Sequence, residues 1–118
     1  MPFRTLVAPV LLLLLAAAPA FALDGQVGIH DPSTIVRCDG KFYTWGTGGR
    51  GLVSADGWTW ERGGTYGGGG LAPDVIHLGD RYCLYYAVAR GQPKAEIHVT
   101  SNKTLVRGMS RDAVPFAV

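Results

Sequence analysis

The chain has 118 residues, with 11 Lys and Arg residues against 9 Asp and Glu residues and a formal net charge of +2. So small a charge, with no basic stripe along the sequence, argues against nucleic acid or an anionic membrane surface as the main partner. The length is enough for one small hydrophobic core.

The N-terminus predicts a secretory signal peptide over residues 1–22. Arg4 supplies the positive charge, a run of leucine, alanine and valine follows, and Ala20-Phe21-Ala22 forms a small-x-small cleavage pattern. The apolar run is too short for a transmembrane helix, which needs about 20 apolar residues. We therefore expect a secreted protein, periplasmic or extracellular, with no membrane contact after signal cleavage. In such an oxidising compartment Cys38 and Cys83 can form a disulfide, and the sequence leaves open whether they do.

A polar lead-in up to Gly28 precedes four short predicted strands that form a first unit. The strands are rich in β-branched and aromatic residues and are separated by glycine-containing turns, of which Asp39-Gly40 is the strongest hairpin signal. They cover Ser33–Arg37, Phe42–Trp45, Leu52–Ser54 and Trp58–Glu61. The glycine-rich segment 63–70 then predicts a loop, because consecutive glycines do not form the interior of an element.

A second unit repeats the pattern of the first. Its predicted strands are Asp74–Leu78, Tyr82–Val88 and Glu96–Thr100. At an offset of 40 residues, Ile35-Val36 matches Val75-Ile76. A repeat of about 40 residues, each copy a small antiparallel sheet, is typical of propeller blades, and a single sandwich-like β-domain with two similar hairpins is the alternative. No segment after the signal predicts a helix.

The sequence contains no convincing motif for a cofactor or a metal ion. Gly46–Gly51 matches the dinucleotide fingerprint G-x-G-x-x-G, but that fingerprint must open a helix, and here a predicted strand follows. We interpret it as a turn. His30, His77 and His98 are too scattered to suggest a metal site.

The remaining candidates for chemistry are two aspartates. Asp31 and Asp74 each stand beside a proline at the entrance to a predicted strand, whereas Asp39, Asp56 and Asp80 lie in turns, where aspartate is favoured for its local hydrogen bonds. From the residue types alone, both the structural and the catalytic interpretation of the two aspartates stay open.

Four ordered motifs make the chain resemble glycoside hydrolase family 43. They are His30-Asp31-Pro32-Ser33, Asp39–Tyr43, Ser54–Trp60, and Leu71–Ile76 followed by Tyr82–Tyr86. The chain looks most like the arabinan endo-1,5-α-L-arabinosidases of that family. This resemblance implies an all-β fold, in which residues 23–105 are the first two blades of a five-bladed β-propeller that is incomplete here. It also implies hydrolysis of α-1,5-arabinan or a related plant polysaccharide or oligosaccharide, with inversion.

The resemblance also assigns roles to individual residues. Asp31 matches the general base that activates water, and Asp74 lines the same cleft at the blade axis. Gly91, in the loop after the tyrosine-rich strand, approaches the sugar. The resemblance implies no cofactor, and it leaves open a structural ion on the propeller axis of full-length relatives.

The general acid that inversion requires is not evident. An acid and a base must lie roughly 6.5–9.5 Å apart, and in the family the acid is a glutamate located after the second blade. Glu61 and Glu96 are the only glutamates, and the alternation of their strands predicts outward faces. Residues 106–118 depart from the relatives, which continue into further blades. We therefore expect a truncated chain that lacks the acid, with a non-catalytic carbohydrate-binding fragment as the alternative.

Overall fold

The computed structural model describes residues 22–67, 69–89, 94–109 and 114–115, the last pair as backbone only. Within these ranges the chain forms strands and no helix, and the strands build two sheets. The predicted signal peptide lies almost entirely outside the described residues. The all-β fold predicted from the sequence is confirmed.

The first sheet is an antiparallel meander with one extra strand at its outer edge. The strands lie in the order β1-β5-β4-β3-β2, and their bounds are β1 Asp24–Gly25, β2 Val36–Cys38, β3 Lys41–Gly46, β4 Arg50–Ser54 and β5 Thr59–Arg62. The predicted Asp39-Gly40 turn joins β2 to β3, and both of its residues have positive φ, at 48° and 76°. A two-residue hairpin turn needs such angles because they match the twist of the strands.

The polar lead-in contains a strand that the sequence did not predict. β1 runs parallel to β5, with Asp24 opposite Thr59 and Gly25 opposite Trp60. The backbone nitrogens of Asp24 and Gln26 donate to the carbonyl oxygens of Trp58 and Trp60. β1 therefore forms by pairing with the free edge of β5. Its own two residues, Asp24 and Gly25, give no strand signal in the sequence.

The second sheet is antiparallel throughout, in the order β6-β7-β8-β9. Its strands are β6 Leu71–Leu78, β7 Arg81–Ala89, β8 Ala95–Asn102 and β9 Val114–Pro115. β9 lies in the tail that showed no strand pattern. The hairpin ends pair Cys38 with Lys41 in the first sheet and Leu78 with Arg81 in the second, so the two hairpins share one register 40 residues apart. The repeat is confirmed as two successive sheets of one kind.

One hydrophobic core lies between the two sheets. Trp45 and Leu84, each on the second strand of its hairpin, are fully buried there together with Leu105. Trp45 Nε1 donates to the carbonyl oxygen of Gly64 over 3.1 Å, which satisfies the indole and ties the glycine-rich loop to the core.

The two cysteines are free thiols. Cys38 is buried in the core, while Cys83 is partly buried on β7 between the buried Tyr82 and Leu84. Because side chains alternate along a strand, Cys83 points to the face opposite its two neighbours and away from the core that holds Cys38.

Candidate active site

Asp31 and Asp74 lie at the seam between the sheets, where β2 and β3 contact β6. Asp31 precedes β2 in a bend, and Asp74 is part of β6. Asp74 Oδ1 accepts the backbone N–H of Thr34 across the seam at 2.9 Å and that of Val75 on its own strand at 3.0 Å. The second aspartate therefore links β6 of the second sheet to the segment that leads into β2 of the first.

Asp31 is held by side chains and stays open to solvent. Its Oδ2 accepts the hydroxyl of Thr47 at 3.1 Å and lies 2.8 Å from Nδ1 of His30, while 54% of its side chain is exposed. Its backbone has a φ of 46°, a left-handed conformation that aspartate tolerates better than most residues. The result is a fixed but accessible carboxylate, which is what a base acting on water requires.

Thr47 comes from the glycine-rich segment Gly46–Gly51, which the structure shows to be a turn. The segment joins the antiparallel strands β3 and β4, pairing Gly46 with Arg50, and Gly48 and Gly49 have φ near 85° and 83°. No helix follows it, so the interpretation of the G-x-G-x-x-G match as a turn is confirmed. The threonine oxygen also accepts the backbone N–H of Ala72 at 2.9 Å.

The pKa of Asp74 is lowered from its ordinary value of 3.8. The backbone N–H of Thr34 is the main cause, with a smaller contribution from that of Val75, and partial desolvation opposes them. Hydrogen bonds to the charged form favour that form. Asp74 is therefore a firmly ionised carboxylate at neutral pH.

An open concavity of about 540 Å³ adjoins the two residues that contact Asp31. It is lined by Gly28, Ile29, His30, Thr47, Gly48 and Arg50. Its size falls within the range of small-ligand sites. A sugar-sized molecule therefore has room beside His30 and Thr47, the two residues that contact the Asp31 carboxylate.

The two predicted aspartates come together at the seam, but they are not equivalent members of the repeat. At the 40-residue offset Asp74 corresponds to Thr34, which is the residue whose amide it binds. Gly91 lies outside the described residues. The sequence did not predict a role for Thr47. The feature that could have indicated it is a single hydroxyl side chain within a glycine-rich turn that directly follows a buried strand.

The two glutamates lie away from the seam. Glu61 is on β5 and Glu96 on β8, and neither strand contacts β2, β3 or β6. Both side chains are exposed, as the strand alternation predicted, and Glu96 pairs with Nε2 of His98 at 2.9 Å.

The described residues contain no cluster of three His, Cys, Asp or Glu side chains placed to hold a metal ion. In the same part of the chain, no helix is long and apolar enough to cross a membrane.

The chain is similar to two fungal proteins. It is 34% identical over 106 aligned positions to a probable arabinan endo-1,5-α-L-arabinosidase A of Aspergillus flavus and equally to that of Aspergillus oryzae. Each alignment covers 77% of this chain and 33% of the fungal protein. The chain thus spans about a third of the length of these relatives. No protein-family model matches the sequence.

Solved structures show the same likeness in three dimensions. A family 43 endo-arabinanase from Bacillus licheniformis superposes with a TM-score of 0.59 at 28% identity, over 72% of this chain and 36% of that one. An α-L-arabinanase from Cellvibrio cellulosa, solved with arabinohexaose, gives a TM-score of 0.62 at 25% identity, over 80% and 37%. The two sheets match part of a five-bladed β-propeller, as predicted. The resemblance to the arabinanases of glycoside hydrolase family 43 is therefore confirmed, over about a third of their length.

Proposed function

We propose that these two sheets carry the general base of a secreted, inverting arabinan hydrolase, with Asp31 as the base. One observation supports this most: an exposed carboxylate, anchored through a single oxygen, stands at the seam between two blades beside an open concavity. The similarity to arabinanases supplies the substrate class.

In this mechanism Asp31 removes a proton from the water that attacks the anomeric carbon. Thr47 and His30 hold the carboxylate in place through Oδ2. Asp74 adds a second negative charge at the seam, which suits a transition state with oxocarbenium-ion character. The general acid is not one of the two glutamates, because neither of their strands reaches the seam.

A substrate that needs no acid tests the role of Asp31 directly. A nitrophenyl glycoside of an arabino-oligosaccharide has a leaving group that departs without protonation, so a base alone is enough to accelerate its hydrolysis. We expect the chain to cleave this glycoside with inversion, to leave linear arabinan almost untouched, and to lose aryl-glycoside cleavage in Asp31→Asn.

Asp39→Asn is the matched control, because Asp39 is also exposed and also has a positive φ, of 48°. It should retain cleavage. Equal cleavage by the wild-type chain and Asp31→Asn would contradict the proposal.

The second candidate is a non-catalytic carbohydrate-binding fragment. It is favoured by the position of both glutamates on strands away from the seam. Such a fragment would bind arabino-oligosaccharides, would keep that binding in Asp31→Asn, and would cleave neither substrate.

A further inference from the structure

Thr47 is the residue through which the second sheet reaches Asp31. Its side-chain oxygen lies 3.1 Å from Asp31 Oδ2 and 2.9 Å from the backbone nitrogen of Ala72. An amide N–H can only donate, so the threonine oxygen accepts from Ala72 and its single proton is directed to Asp31. The hydroxyl therefore donates to the carboxylate in one fixed direction and anchors the oxygen that accepts it.

The backbone around Thr47 fixes the position of this hydroxyl. The Thr47 N–H donates to the carbonyl oxygen of His30 over 2.9 Å, in the segment just before Asp31. The neighbouring Gly48 N–H donates to the carbonyl oxygen of Gly70 over 2.9 Å, just before β6 begins. The turn is thus tied to the segments that lead into β2 and β6.

Both groups that hold Asp31 use the same carboxylate oxygen. Thr47 and His30 converge on Oδ2, so Oδ1 is the oxygen that neither of them engages. A carboxylate anchored at one oxygen presents the other in a fixed direction, and alignment of this kind is a large part of what an enzyme contributes to a proton transfer.

We propose that Thr47 is the positioning residue of the general base: it anchors Oδ2 of Asp31, directs Oδ1 at the attacking water, and makes this alignment depend on the contact between the two sheets. The proposal rests on the proposed function, in which Asp31 is the base. In the step it serves, the water O–H bond breaks and the proton passes to Oδ1. The oxygen bonds to the anomeric carbon, and the glycosidic electron pair leaves with the departing group.

The first test follows the amide of Ala72 in the ¹⁵N-labelled chain by NMR during acidification. Protonation of Asp31 changes the bond it accepts from Thr47, and the hydroxyl passes this change to the Ala72 amide. We expect an acid-range step in the Ala72 shift in the wild type and in Thr47→Ser. The step should be lost in Thr47→Val, which replaces only the hydroxyl with a methyl group, and in Asp31→Asn.

Two other titratable groups face this contact, His30 beside Asp31 and Asp74 two residues after Ala72. The step should persist in His30→Gln and in Asp74→Asn, which serve as controls. Persistence of the step in Thr47→Val or in Asp31→Asn would overturn the proposal. If Thr47→Val does not fold, the other two variants provide the test. Loss of the step in Thr47→Ser, or its persistence in Asp31→Asn, would overturn the proposal.

The second test is turnover of the nitrophenyl glycoside. Thr47→Val should lower kcat at least tenfold with little change in KM, since the hydroxyl is already bonded to Asp31 and Ala72 and aligns the base, and Thr47→Ser should recover most of the loss. If the wild type shows the Ala72 step but does not turn over the glycoside, the proposed function is overturned. If the wild type turns over the glycoside but shows no Ala72 step, the role of Thr47 is overturned.

Discussion

The two aspartates of the seam are held in opposite ways. Asp74 is fixed by two backbone amides, that of Thr34 in the segment before β2 and that of Val75 on β6, and has a lowered pKa. Asp31 is held by the side chains of Thr47 and His30, with 54% of its own side chain exposed. Backbone amides suit a permanent structural contact, whereas a carboxylate held by side chains through one oxygen keeps its other oxygen accessible. The comparison supports the proposal that Asp31 is the base, and it gives Asp74 the role of a link across the seam.

The largest expected loss of stability comes from truncating a fully buried side chain in the core between the two sheets. Trp45→Ala should destabilise the chain by about 3–5 kcal/mol and Leu84→Ala by about 2–5 kcal/mol, through lost burial and the cavities left behind. Both side chains are fully buried. Urea unfolding monitored by circular dichroism measures the change.

Trp58→Ala is the control for this prediction. Trp58 lies in the turn just before β5 and is 46% exposed, and its removal should cost clearly less. Similar losses for Trp58→Ala and Trp45→Ala would show that the two sheets do not share the core described.

The next effect separates the two aspartates. Asp74→Ala should lower the free energy of unfolding by about 1 kcal/mol, because two backbone amides lose their acceptor at a solvent-accessible site. Asp31→Asn should change it by less than about 0.5 kcal/mol, as substitutions on the surface usually do. Chemical denaturation at pH 7 compares them. A larger loss in Asp31→Asn would reverse the roles assigned to the two residues.

Acid unfolding sharpens the same contrast. Because the folded pKa of Asp74 lies below its ordinary 3.8, its contribution to stability is complete above that value and is lost as the pH falls through the folded pKa. The melting temperature should therefore fall less steeply below pH ~4 in Asp74→Asn than in the wild type.

Asp56 adds to the same acid transition at lower pH. The backbone amides of Thr59 and Trp58 and the Ser54 hydroxyl lower its pKa to about 2, so Asp56→Asn should flatten the lowest part of the curve. If the melting temperatures of the wild type and Asp74→Asn fall in parallel below pH ~4, the hydrogen bonds of the ionised Asp74 do not stabilise the seam as described.

The smallest effect concerns the thiols of the two hairpins. With both cysteines free, a thiol reagent should modify Cys83 in the folded chain and reach the buried Cys38 only on unfolding. Reduction should leave the melting temperature unchanged. If no free thiol is detected in denaturant, the two cysteines are joined in a disulfide and the prediction is wrong.

Much of the architecture was predictable because it depends on local signals. Alternating and aromatic runs identified the seven longer strands, and Asp39-Gly40 and the 40-residue offset set the register of the two hairpins. The two short strands, β1 and β9, escaped prediction because each forms by pairing with an edge supplied by distant residues.

The site was predictable only in part. The motif around Asp31 and its order with Asp74 identified both carboxylates as candidates. No local signal showed that Thr34, 40 residues before Asp74, would supply its hydrogen bond, or that Thr47 would link Asp31 to Ala72. These contacts arise from the packing of one sheet on the next.

Binding of sugar at the seam is the central claim, and chemical-shift mapping tests it most directly. Titration of the ¹⁵N-labelled chain with a linear arabino-oligosaccharide should give saturable shifts centred on His30, Asp31, Thr47 and Ala72. Residues of β5 and β8, away from the seam, should stay unchanged. Shifts confined to those outer strands, or no saturable shift at all, would contradict the claim that the seam beside Asp31 is a carbohydrate site.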